Sequence, residues 1–130
     1  MDLNQAINFL KSCYDAMQKG GKIRLPFPDL ELWARKYLEN DRDFLDTYHK
    51  TYLSNKDLKT RGEIFMSHVH GFGHKFAWDL ESVKDILERA GFSNITVKNN
   101  RESDLPNIDE IESDRPGRIL ETKYVEAEKL

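Results

Sequence analysis

The chain lacks most of the features that assign a protein to a class at sight. It has one cysteine, Cys13, in 130 residues, so no internal disulfide can form and a reducing cytoplasm is the expected setting. No apolar run approaches the roughly 18 residues that a membrane span requires. The opening "MDLNQAINFL" has neither the basic stretch nor the apolar core of a secretory signal. Positive charge is not concentrated either. Lys and Arg number 20 against 23 Asp and Glu, a net charge of −3, and without a basic stripe a nucleic-acid partner is not expected. There is no internal repeat and no low-complexity tract. These absences leave a polar, soluble single domain over 1–130, long enough for one core.

The patterns that are present alternate between two periods. Leu3, Ile7, Leu10, Tyr14 and Met17 are spaced four, three, four and three, one stripe of an amphipathic helix that Gly20-Gly21 is expected to stop. Ile23, Leu25 and Phe27 then alternate with Lys22, Arg24 and Pro26, which predicts a strand with one apolar face. Asp29 is the expected N-cap of a helix carrying Leu30, Trp33, Tyr37 and Leu38. One or two helices are predicted over 40–62, and "SHVHGFGHKFAW" reads as an ordered loop, so that 1–40, 41–78 and 79–130 form successive parts of the domain. Asp79 caps a helix "DLESVKDILERAGF" that Gly91 ends; "NITVKN" is a strand, 99–117 a long polar loop, and "RILETKYVEAEK" a final strand, the longest. The expected fold class is therefore α/β, with a mixed sheet of about three strands and helices mainly on one face. The last two strands, joined by a loop alone, should pair antiparallel.

Few residues stand out chemically. His68, His70 and His74 form a His-x-His-x₃-His run that can present imidazoles to zinc or another borderline metal, with His49 or Asp79 as a fourth ligand, or can bond locally and shape a cleft. Asp29 can contact substrate hydroxyls or act as a base, or can simply cap the next helix. Trp33, Tyr37, Tyr48 and Tyr52 lie at helical spacing and read as core. Cys13 has no cation beside it that would lower its pKa. Asp104, Asp109, Glu110, Glu112 and Asp114 lack the pattern of a calcium loop and read as a solvated face.

Three stretches carry a resemblance. "AINFLKSCYDAMQKGGKIRLPFPDLE", "GHKFAWDLESVKDILERAGFSNITV" and "ESDLPNIDEIESDRPGRILETKYVEAEK" look in order like the C-terminal half of a class I S-adenosylmethionine-dependent methyltransferase of the small-molecule or sugar type. The resemblance implies a truncated Rossmann-like fold whose three strands take the order fifth, seventh, sixth. It also places Asp29, His68, His70 and His74 as substrate-cleft candidates; catalytic residues stay unknown. No G-x-G-x-G occurs in the chain, so cofactor-binding residues, and with them a bound cofactor in this chain alone, are not expected. A strand 22–28 without its family neighbour is an open edge. Pro26 suits an edge, and Lys123 with Glu121 is expected to make one face of the last strand polar and wet. The edge would recruit a second copy, giving a homodimer, or a separately encoded cofactor half. The expected function is thus the substrate-side half of a methyltransferase, unable to methylate alone. The alternatives are a dimerising α/β module or, more weakly, a small metal-binding protein using the histidines.

Overall fold

Asp2 starts the first helix by a reciprocal cap: its carboxylate accepts from the Gln5 backbone N–H at 2.8 Å, and the Gln5 side chain accepts from the Asp2 N–H at 2.9 Å. The computed structural model describes residues 2–71, 76–105 and 121–130. Within them lie α1 (Leu3–Ala16), β1 (Lys22–Pro28), α2 (Leu30–Glu39), α3 (Arg42–Tyr52), α4 (Arg61–His70), α5 (Leu80–Ala90), β2 (Ser93–Lys98) and β3 (Thr122–Glu128). The expected α/β class holds.

Helix α1 ends at Ala16, three residues before Lys19, the last residue ahead of the glycines. The Met17 N–H bonds to the Cys13 carbonyl at 3.0 Å, and Gly20, at φ 84°, instead turns the chain towards the sheet. There the Gly20 N–H reaches the Lys129 carbonyl at 2.6 Å, and the Lys129 N–H reaches the Gly21 carbonyl at 2.8 Å. The Lys129 ammonium in turn donates to the Tyr14 and Met17 carbonyls at 2.7 and 2.9 Å, a cation on the negative end of α1. Gly91, at φ 108°, ends α5 as expected.

The strands lie in the order β1-β3-β2. Both ladders are antiparallel, which corrects the mixed sheet expected from the sequence. The reason is topological: β3 lies between β1 and β2, so the two strands that run the same way never touch. β3 and β1 are equally long, at seven residues each.

Two apolar clusters form among the described residues, with no residue in common. The first joins α1 and α5 to one sheet face through Ala6, Ile7, Leu10, Phe27, Val83, Ile86, Leu87, Val125 and Ala127. The second is made by α2, α3 and α4 around Trp33, with Phe44, Leu45, Tyr48, Leu53 and Ile64. Trp33, Leu45, Ile64, Leu87 and Val125 are completely buried.

The polarity of β3 differs from the expectation. Lys123 shares its face with Val125 and Ala127, opposite Phe27, and neither it nor Glu121 makes a wet surface: Glu121 is buried and Lys123 is ion-paired. The polar face is the reverse one, where Arg24 lies opposite Glu126. That face is covered by residues 99–105. Arg24 bonds Glu126 at 2.7 Å and the carbonyls of Glu102 and Asn99 at 2.6 and 3.0 Å. Glu126 also accepts from the Ser103 hydroxyl and, at 2.9 Å, from the Asp104 N–H.

Candidate functional site

Polar groups from four elements meet at the carboxyl end of β1. Asp29, the residue after the strand, caps α2 by accepting from the Glu31 N–H at 3.2 Å, as the sequence suggests. It does more than cap. Its other carboxylate oxygen pairs with the Lys123 ammonium at 3.2 Å, and its own N–H extends the ladder to the Glu121 carbonyl at 3.1 Å.

One helical turn on, Trp33 donates its indole N–H to the Glu121 carboxylate at 3.0 Å. The face of that indole is stacked on His68, with ring centroids 4.0 Å apart and planes 10° from parallel. Tyr48 closes the group from α3: its hydroxyl lies 3.1 Å from His68 Nδ1. The Glu121 carboxylate stands 3.8 Å from the same nitrogen. Burial pushes the Tyr48 phenol well above its ordinary range, and the nearby charges of Glu121 and Tyr52 push it the same way. The phenol therefore keeps its proton, and the imidazole tautomer decides which of the two groups donates across the contact. Asp29, His68 and Glu121 are all buried.

Of the sequence candidates, the structure brings Asp29 and His68 to one site and separates His70 from them. The expected loop begins as helix: Ser67–His70 form the last turn of α4, so His68 turns into the core while His70 is exposed. Two residues apart on a helix, they cannot face the same way. His74 lies outside the described residues. The suggested fourth metal ligands are engaged elsewhere: His49 Nε2 is 2.7 Å from the Lys56 carbonyl, and Asp79 caps α5 by accepting from the Ser82 N–H at 2.8 Å. Among the described residues, no group of three or more His, Cys, Asp or Glu is placed to hold a metal ion. Of the acidic run, Asp104 pairs with Lys98 at 3.3 Å, and Asp109, Glu110, Glu112 and Asp114 lie outside the described residues. Cys13 is a free, half-buried thiol.

Sequence reasoning missed Glu121 and Lys123 as site residues, and treated Trp33 and Tyr48 as core alone. They are core, but a buried indole N–H or phenol needs a partner. That requirement was the available signal. It says that a partner exists and not that it stands 88 residues away, as Glu121 does from Trp33.

Comparison with known proteins finds no match, whether among family models, curated proteins or solved structures. Among the described residues, no helix is long and apolar enough to cross a membrane.

Proposed function

We propose that the chain is the substrate-side half of a class I S-adenosylmethionine-dependent methyltransferase fold and transfers no methyl group alone. The observation that carries this reading is the buried polar cluster at the carboxyl end of β1, the end of a doubly wound sheet where ligands collect. The order β1-β3-β2 supports it, because the resemblance implies that order for the fifth, seventh and sixth strands.

The described residues do not fit the methyl donor itself. A nucleotide cradle needs a glycine turn whose backbone can approach the ligand. The turn after β1 is instead Pro28-Asp29-Leu30, which contains no glycine and runs straight into the capped start of α2. No methyl-transfer step is assigned to these residues. What they offer is recognition: carboxylates that accept hydroxyl protons, an ammonium that donates, and an indole edge. That chemistry suits a small, hydroxyl-rich molecule. The test is an NMR titration of the labelled chain with monosaccharides and, separately, with S-adenosylmethionine. Shifts at Asp29, Lys123 and the Trp33 indole N–H with a sugar, and none with the donor, are expected. Firm donor binding by the chain alone, or silence of these residues towards every sugar, overturns the reading.

A second reading, a dimerising α/β module, is favoured by one observation: among the described residues, β1 has no neighbour on its outer side. The phase of the ladder limits how that edge can pair. The bonds Lys129 N–H to Gly21 and Asp29 N–H to Glu121 put the odd-numbered residues of β1 in register with β3. Lys22, Arg24, Pro26 and Pro28 therefore turn their backbone outwards, and only the first two carry an N–H. A partner strand would be held across Lys22–Arg24. Light scattering from micromolar concentration upwards distinguishes this reading from a monomeric one.

A further inference from the structure

The cluster at the end of β1 is buried: Asp29 is 5% exposed, His68 4% and Glu121 9%. A ligand can reach these groups only if something moves, and the structure has a seam beside them. Helices α2–α4 pack around Trp33, while α1, α5 and the sheet pack around Leu87 and Val125, and the two apolar clusters share no residue. Polar contacts bridge them: Trp33 to Glu121 at 3.0 Å and Asp29 to Lys123 at 3.2 Å. The chain leaves the sheet at Asp29 and returns at Trp78, and these crossings are tied by the Leu30 N–H to the Trp78 carbonyl at 2.8 Å. Among the described residues, this stem is where the chain passes between the two bodies.

We propose that α2–α4 form a hinged cap, pivoting at the Asp29–Trp78 stem and latched to the sheet body by the Glu121 carboxylate. Opening carries Trp33, Tyr48 and His68 away as a unit, because they belong to the cap's own core, and leaves Glu121 and Lys123 on the sheet. An apolar core resists partial separation, since exposed area costs free energy in proportion. A seam of hydrogen bonds and ion pairs can exchange its partners for water or ligand hydroxyls at little net cost. The cap then opens as a unit well before the protein unfolds. The purpose assigned to it, admitting a ligand, rests on the site reading above; the hinge itself is tested without any ligand.

The experiment is native-state hydrogen exchange on the full chain in low urea, for the wild type and for Glu121→Gln and Glu121→Ala. In the wild type, α2–α4 amides should exchange through an opening that leaves α1, α5 and β3 protected. Glu121→Ala should speed α2–α4 exchange about tenfold or more, the loss of one charge-assisted hydrogen bond, with α1 and α5 unchanged. Glu121→Gln, which keeps an acceptor for Trp33, should fall between. Equal protection of both bodies in the wild type, lost in parallel with rising urea, overturns the hinge. So does a Glu121→Ala variant that accelerates both bodies alike. Should that variant fail to fold, the wild-type exchange pattern decides alone.

Discussion

Replacing Arg24 by methionine tests whether the polar face of the sheet holds the fold or merely decorates it. The Arg24 and Glu126 side chains are 5% and 3% exposed, and their ion pair spans 2.7 Å. Arg24→Met keeps most of the aliphatic stem and leaves a buried carboxylate with two partners, the Ser103 hydroxyl and the Asp104 N–H. Removing one member of a buried pair costs about 3–5 kcal/mol, and the surviving hydrogen bonds put this case near the lower end, about 3. The pH dependence carries the sharper test. Burial by itself would raise the Glu126 pKa, but the hydrogen bonds from Ser103 and Asp104 and the Arg24 guanidinium outweigh it and hold the group below the ordinary carboxylate range. A carboxylate with a lowered folded pKa contributes stability that is present above the unfolded value, about 4.3. That stability fades as pH falls through the folded value. Urea denaturation should therefore show the full loss at pH 7 and a smaller one in acid, at a pH below the folded value, where Glu126 is protonated. Hydrogen exchange should show residues 99–105 released at pH 7, because Arg24 also holds two of their carbonyls. A loss below about 1 kcal/mol at pH 7, or one of equal size at both pH values, would refute the argument.

The elements were legible because each rests on local chemistry. The stripe of Leu3, Ile7 and Leu10, the caps at Asp29 and Asp79 and the stop at Gly91 depend on residues a turn or less apart. What a window along the chain cannot show is which long-range bond sets a boundary. Helix α1 stops short of its glycines because the turn at Gly20 must bring residues 20 and 21 against Lys129. Period-two alternation likewise says that β3 has two faces without saying which is which. "ETKYVEAE" offers a polar residue to both, and only the pairing of Lys123 with Phe27 and of Glu126 with Arg24 decides the matter. The site was half legible for the same reason. Asp29 could be found from its place after a strand. Glu121 and Lys123 acquire meaning only when β3 comes to lie beside β1. His68 and His70 looked equivalent in sequence, and one helical turn gave them opposite surroundings.

Three further perturbations follow from the same geometry. Trp33→Phe deletes the indole donor to Glu121 and opens a small void in a completely buried position; a loss of about 2–4 kcal/mol is expected in urea denaturation, and less than about 1 would mean that Glu121 needs no donor there. Gly91→Ala forces a side chain onto φ 108° and sets its Cβ 3.1 Å from the Tyr14 ring, so thermal denaturation should report a loss of about 1–3 kcal/mol, and no loss would show that the α5 terminus relaxes freely. The last perturbation concerns the edge. If Pro26 and Pro28 deny β1 two outward donors, restoring N–H groups with the double change Pro26→Val and Pro28→Val lengthens the strand-pairing surface. The variant should then associate with itself at concentrations, followed by light scattering, where the wild type associates less. Valine is also at ease in an extended backbone, so folding is not the obstacle. Because both prolines sit at the positions that face away from β3, the change adds donors to the open side and takes none from the ladder. Equal association of variant and wild type would mean that donor supply on this edge does not govern how copies of the chain meet.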